Sequence, residues 1–137
     1  MTVDELVVSS ALDVLPQVIG FVRQASLQAG LPERAVFACE LATDEACTNI
    51  IEHAYAGRSD GTIRVACWSD GDEFVVQLHD QGVAFVPGAV REPPLTQDLA
   101  ARPLGGLGIY FMRSLMDEVR FDFDPMAGNT LTMTKRI

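Results

Sequence analysis

Residues 45–55 read EACTNIIEHAY, and they constrain both the fold and the chemistry of the chain. Helical spacing of apolar residues runs into this stretch from Pro32, and Gly57 follows it, so the sequence predicts one long helix from Pro32 to about residue 55. Glu45 and Asn49 lie four residues apart and therefore share one helix face. A carboxylate beside an amide oxygen suits a general base next to a magnesium ligand, although a solvated acidic face has the same pattern.

The patterns on either side of this helix predict an α+β domain. Alternating apolar residues predict strands, and Gly or Pro marks the ends of the helices. Helices early and strands late favour a two-layer α/β sandwich, with a mixed, mostly antiparallel sheet and the helices on one face. The predicted elements are a strand over 3–8, a helix with Pro16 in its first turn that Gly30 closes, a hairpin over 61–80 that turns at Asp70-Gly71, a short helix over 105–116 and a closing hairpin over 119–134.

Length and composition exclude several functional classes. With 137 residues, the chain is expected to form one domain over 1–137. The net charge of −9 argues against nucleic-acid binding. No apolar run reaches the roughly 18 residues of a membrane helix, and the acidic start is unlike a signal peptide, so we expect a cytoplasmic protein. Three cysteines without a CxxC pair indicate neither a disulfide framework nor a zinc site.

Two further segments carry features of an anion or nucleotide site. Asp80-Gln81-Gly82 follows a predicted strand, where a buried carboxylate could accept a hydrogen bond from an exocyclic amine. Gly105, Gly106 and Gly108 precede a helix, so backbone N–H groups could approach a phosphate closely. Each segment alone is equally compatible with an ordinary turn.

Lysine usage excludes two kinds of nucleotide site. The single lysine is Lys135, near the end of the sequence, so neither a P-loop nor a eukaryotic-type protein kinase site is present. Phosphates would have to be held by backbone amides, magnesium and arginine. Residues 86–103 contain four prolines and no periodicity, and such a long segment is predicted to be a lid over the site.

Taken in order, these segments resemble the GHKL ATP-binding superfamily. Residues 45–55 are most similar to the corresponding box of the anti-sigma-factor serine/threonine kinases of bacterial partner switching, which reads E-A-x-T-N-x-x-x-H-x-Y. The resemblance implies a Bergerat-type ATP-binding fold, with Glu45 as general base, Asn49 as magnesium ligand and Asp80 as adenine anchor. The nucleotide-binding residues it implies are Asn49, Asp80, Gly82, Arg102, Gly105, Gly106, Leu107, Gly108 and Thr130.

The sequence departs from this family at two places. Ala84 stands where the adenine-binding box often has a second glycine. Leu104 and Gly105 stand where some relatives have Gly and Arg, so one phosphate contact is missing, and Arg102 from the lid is a candidate substitute. His53 is expected to be a structural hydrogen-bonding residue at the helix end rather than a phosphoacceptor.

The resemblance implies a function with specific partners. ATP, ADP and Mg²⁺ would bind, an anti-sigma-factor antagonist would be phosphorylated, and a sigma factor or similar regulator would be sequestered. A homodimer is expected, without direct contact to nucleic acid or membrane. Two alternatives stay open, namely a nucleotide-switched binding module without phosphotransfer and a GHKL-type ATPase in which Glu45 activates water. The presence of both Glu45 and Asn49 favours chemistry over binding alone.

Overall fold

In the computed structural model, five strands form one sheet in the order β1-β2-β3-β5-β4. The structure describes residues 2–84 and 106–137, so the predicted lid over 86–103, with Arg102, and Gly105 lie outside the described residues. The strands are β1 (Asp4–Ser9), β2 (Thr62–Asp70), β3 (Glu73–Asp80), β4 (Glu118–Asp124) and β5 (Gly128–Arg136). The helices are a 3₁₀ turn (Leu12–Val14), α1 (Leu15–Gln28), α2 (Glu33–Asn49), a π turn (Ile50–Ala54) and α3 (Gly106–Leu115).

The predicted α+β sandwich is confirmed. Each strand pairing among the described residues is antiparallel, so the predicted antiparallel character is confirmed and the parallel pairing that a mixed sheet would contain does not occur among them. Alternate residues of the strands are buried and meet the apolar faces of the helices, as a two-layer arrangement requires. The side chains of the central strands in this hydrophobic core are Ile63, Val65, Cys67, Phe74, Val76, Leu78, Leu131 and Met133.

The first two helices form where their end signals predict. Pro16 lies in the first turn of α1, where its missing N–H has no helical partner to lose, and Gly30 ends the segment with a φ of +93°. Arg23 on α1 forms ion pairs with Glu33 and Glu40 of α2, at 2.8 and 2.9 Å. These ion pairs connect the two helices, and partly exposed pairs of this kind contribute little to stability.

The end of the long helix differs from a regular α-helix. Residues 50–54 form a π turn, closed by a hydrogen bond of 2.9 Å from Tyr55 N to Ile50 O. A π turn contains one more residue than an α turn, so each residue rotates less about the axis. His53 is therefore brought closer to the azimuth of Asn49 than regular helical spacing predicts.

The cysteines are free and buried, in agreement with the sequence. Burial raises the pKa of each thiol, Cys39, Cys47 and Cys67, to about 12. These thiols therefore stay protonated at neutral pH and act as small core side chains. Among the described residues, no helix is long and apolar enough to cross a membrane.

Candidate active site

A cavity lies between the end of α2, the first part of α3 and the adjoining ends of β3 and β5. Its wall is mostly apolar and includes a few polar side chains, the composition typical of a small-molecule site. The lining residues are Ala46, Asn49, Ile50, His53, Ala54, Asp80, Val83, Ile109, Met112, Phe121, Phe123, Asn129, Thr130 and Leu131.

Asp80 is a buried carboxylate in this wall, with 4% of its surface exposed. Its Oδ1 accepts hydrogen bonds from Gly82 N at 2.9 Å and from Asn129 Nδ2 at 2.8 Å. Its Oδ2 accepts no hydrogen bond from residues 2–84 or 106–137. Among the described residues, one oxygen of this buried carboxylate is held by the protein and the other is left open, which suits a ligand that brings an N–H donor.

Gly82 places this carboxylate against the end of the long helix. A Cβ at residue 82 would lie 2.4 Å from Ala54 O, so the close approach requires glycine. The next residue, Val83, donates its N–H to the same carbonyl at 2.8 Å. Ala84 has no positive φ, so the first turn of this segment forms without the second glycine that relatives often have.

Glu45 and Asn49 meet the N-terminal part of α3 at Gly108. A Cβ at residue 108 would lie 2.9 Å from Asn49 Nδ2 and 3.1 Å from Glu45 Oε2. Glu45 is half-buried, and its pKa is raised above the ordinary value by desolvation, then by the charges of Asp44 and Glu52. A raised pKa makes the carboxylate a better proton acceptor, which a general base needs.

Asn49 has a side chain that fits a magnesium ion. Its amide oxygen is a hard oxygen ligand, and Mg²⁺ commonly uses one or two protein ligands together with substrate phosphates. The described part of the chain contains no group of three or more His, Cys, Asp or Glu that could hold a metal. Asn49 is the residue that would hold the ion.

The remaining predicted site residues are distributed as follows. Gly106 and Leu107 form the first turn of α3, whose leading N–H groups have no helical partner and favour an anion. Thr130 lines the cavity, and its Oγ1 lies 3.1 Å from His79 Nδ1. Arg102 and Gly105 lie outside the described residues, so their roles remain predictions.

Two residues at the site were given no ligand-binding role from the sequence. Asn129 donates to Asp80 and, at 3.0 Å, to Gly82 O, and it faces the core in register with Leu131 and Met133. A polar residue in an inward-facing position of a strand was the available signal. His53, expected to make a structural hydrogen bond, instead lines the cavity and makes no hydrogen bond among the described residues.

This fold and this site together define an ATP-binding domain of the GHKL class. Residues 8–135 match the family described as the histidine kinase-like ATPase domain, and the chain belongs to that family. Within it, the chain is similar to proteins named serine-protein kinase RsbW. The Listeria monocytogenes serotype 4a protein of that name is 31% identical over 114 residues, covering 80% of this chain and 71% of that protein.

Two further comparisons agree in fold or sequence. RsbW of Bacillus licheniformis is 36% identical over 105 residues, which cover 70% of this chain and 61% of that protein. A crystal structure of the RsbU and RsbW domains of a Mycobacterium tuberculosis protein superposes with a TM-score of 0.71. The two sequences are 20% identical, and the match covers 99% of this chain and 32% of that chain, so this comparison supports the fold alone.

Proposed function

We propose that this chain binds ATP and transfers its γ-phosphoryl group to a serine or threonine of an anti-sigma-factor antagonist. We also propose that it sequesters a sigma factor or similar regulator, acts as a homodimer in the cytoplasm, and contacts neither nucleic acid nor membrane directly. The family and the names of the relatives support the kinase class. The partners are carried over from the family resemblance.

One observation supports this proposal most strongly. The open carboxylate of Asp80 and the amide of Asn49 line the same cavity, and Glu45 lies beside Asn49 at the start of α3. An adenine amine at Asp80 and phosphates near the first turn of α3 would therefore place the reacting end of ATP beside a carboxylate. A site for nucleotide binding alone does not require a base there.

Each of these site residues has a separate role in the proposed phosphoryl transfer. Asp80 fixes the base of the nucleotide, and the leading N–H groups of α3 bind phosphate oxygens. Magnesium, when bound, neutralises charge on the phosphates. The serine or threonine oxygen attacks the γ-phosphorus, the bond to the bridging β–γ oxygen breaks, and ADP leaves. The hydroxyl proton passes to the carboxylate of Glu45.

The experiment that tests this function is a phosphotransfer assay with candidate antagonist proteins. The purified chain is incubated with γ-labelled ATP, Mg²⁺ and one antagonist, followed by phosphoamino-acid analysis. We expect labelled serine or threonine on the antagonist, a large loss of label with Asn49→Ala and no loss with Asp60→Asn, an exposed carboxylate outside the site.

The other outcomes identify the alternatives. Release of labelled inorganic phosphate without any labelled partner would make the chain an ATPase. If no partner is labelled but partner affinity differs between ATP and ADP, the chain is a nucleotide-switched binding module. Either result would overturn the proposed kinase activity.

A further inference from the structure

Tyr55 ends the π turn, and its phenol lies between two strands. The side chain is buried, with 5% of its surface exposed. Its hydroxyl donates a hydrogen bond to Thr62 O at 2.7 Å and accepts one from Gln81 N at 2.8 Å. A single hydroxyl therefore connects the first residue of β2 to the residue that follows β3.

This hydroxyl takes the place of a direct hydrogen bond between β2 and β3. The β2–β3 ladder ends at the pair Ile63↔Asp80, so the next pair in an antiparallel register would be Thr62 and Gln81. In a continuing ladder, Gln81 N would donate directly to Thr62 O. The inserted hydroxyl satisfies both groups, and the two strands separate one residue beyond Asp80.

The separation of the strands allows the Asp80 turn to form. Gln81 leaves the ladder, Gly82 N turns back to Asp80 Oδ1, and Val83 N reaches Ala54 O. The segment from Gln81 to Val83 is therefore bonded at both ends to the end of the long helix, once through Tyr55 and once through Ala54. The orientation of the Asp80 carboxylate depends on this turn.

We propose that the Tyr55 hydroxyl is a positioning residue for base selectivity, holding the open oxygen of Asp80 toward the exocyclic amine of adenine. This inference rests on the proposed function, because it assumes that Asp80 contacts the base. Guanine carries a carbonyl oxygen where adenine carries its 6-amine, so a guanine base bound in the same orientation presents an acceptor to the open oxygen of Asp80 and gains no hydrogen bond there. Tyr55 should therefore affect the affinity for adenine nucleotides and leave the affinity for guanine nucleotides unchanged.

The test compares ADP and GDP binding by Tyr55→Phe, which keeps the ring and removes only the hydroxyl. Loss of one positioned hydrogen bond corresponds to about a tenfold change in affinity, so we expect the ADP dissociation constant to rise about tenfold. The GDP constant should not change. In the kinase assay, KM for ATP should rise while kcat at saturating ATP stays the same.

The matched control is Ser26→Ala, which removes a buried hydroxyl that donates to Arg23 O at 3.0 Å in α1, away from the cavity. It should lower the melting temperature and leave the ratio of GDP to ADP constants unchanged. If Tyr55→Phe behaves like this control, or weakens the binding of ADP and of GDP equally, Tyr55 has a structural role only and the inference is overturned.

A second variant displaces the ring without removing its hydroxyl. A Cβ at Gly61 would lie 2.5 Å from Tyr55 Cε1, so Gly61→Ala should also reduce the selectivity for ADP. In the unaltered protein, the Gln81 amide should be protected from hydrogen exchange without nucleotide. Unprotected exchange of this amide would contradict its hydrogen bond to the Tyr55 hydroxyl. Equal binding of ADP and GDP by the unaltered protein would instead overturn the proposed function itself.

Discussion

Asp80 is the proposed anchor of the nucleotide base, and its carboxyl group is buried. Burial of a carboxylate is costly unless it accepts hydrogen bonds, and the bonds from Gly82 and Asn129 both go to one of its oxygens. The same arrangement leaves the other oxygen for a ligand. The local pattern Asp80-Gln81-Gly82 identified this residue from the sequence, but its partner Asn129 lies 49 residues away and required the sheet register.

Replacement of Asp80 by asparagine should weaken adenine nucleotides selectively. If the amide nitrogen of the new side chain takes the open position, two donors face each other; if the amide oxygen does, the hydrogen bond loses the strength that a charged acceptor gives. In either case we expect the ATP dissociation constant to rise about 10- to 100-fold. Isothermal titration with ATP and GTP checks this, with Asp122→Asn as an exposed control. Retention of full ATP-over-GTP selectivity by Asp80→Asn would exclude Asp80 as the base anchor.

Glu45 should make the protein less stable at neutral pH than a neutral residue would. Its pKa is raised by desolvation and by Asp44 and Glu52, so folding disfavours the ionised form. The penalty is present at pH 7 and disappears as the pH falls below about 4, where the carboxyl is protonated in both states. Glu45→Gln should therefore raise the melting temperature at pH 7 and match the unaltered protein in acid.

Thermal unfolding at several pH values measures this difference. A control variant, Asp60→Asn, replaces an exposed carboxylate away from the cavity and should show no such pH-dependent gain. A lower melting temperature for Glu45→Gln at pH 7 would contradict the raised pKa. The expected gain would be typical of active sites, where function is retained at the expense of stability.

The long helix and α3 approach closely because Gly108 has no side chain. In Gly108→Ala, the new methyl group would press on the ends of Asn49 and Glu45, at 2.9 and 3.1 Å. Alanine is a better helix former than glycine by about 1 kcal/mol, so the fold should not be weakened much. We expect a clear loss of Mg²⁺-dependent ATP affinity and of transfer with little change in melting temperature.

Gly20 provides the matched control for this substitution. It lies in α1, and a Cβ added there would meet no atom within 4 Å, so Gly20→Ala should raise stability by about 1 kcal/mol and leave ATP binding unchanged. Equal ATP affinity in Gly108→Ala and the unaltered protein would show that α3 does not border the phosphate end of the site.

The elements were largely predictable from the sequence because they depend on local signals. Pro16, Gly30 and Gly57 mark helix ends, and Gly71, with a φ of +64°, turns the first hairpin. The π turn was not predictable from helical spacing, and in the structure the residues at its end, Ala54 and Tyr55, form hydrogen bonds with residues at the adjoining ends of β2 and β3. The position of His53 on the cavity wall follows from that turn, and it was missed for the same reason.

In the whole molecule, the site lies where the layer of helices meets the sheet. The helices contribute Glu45, Asn49 and Gly108, while the sheet contributes Asp80 and Asn129. The order of these segments in the sequence was enough to identify the family. Their convergence on one cavity depends on the packing of the helices against the sheet, which spacing alone does not specify.

The central claim is that Glu45 acts in phosphoryl transfer rather than in nucleotide binding. The most direct measurement is the single-turnover rate of transfer to one purified antagonist by Glu45→Ala at saturating ATP. We expect ATP binding to survive while the rate falls, by up to about 10²–10⁴-fold for loss of a general base and by less if the loose transition state depends little on proton removal. Transfer at the unaltered rate would contradict the claim and leave Glu45 as part of a solvated acidic face.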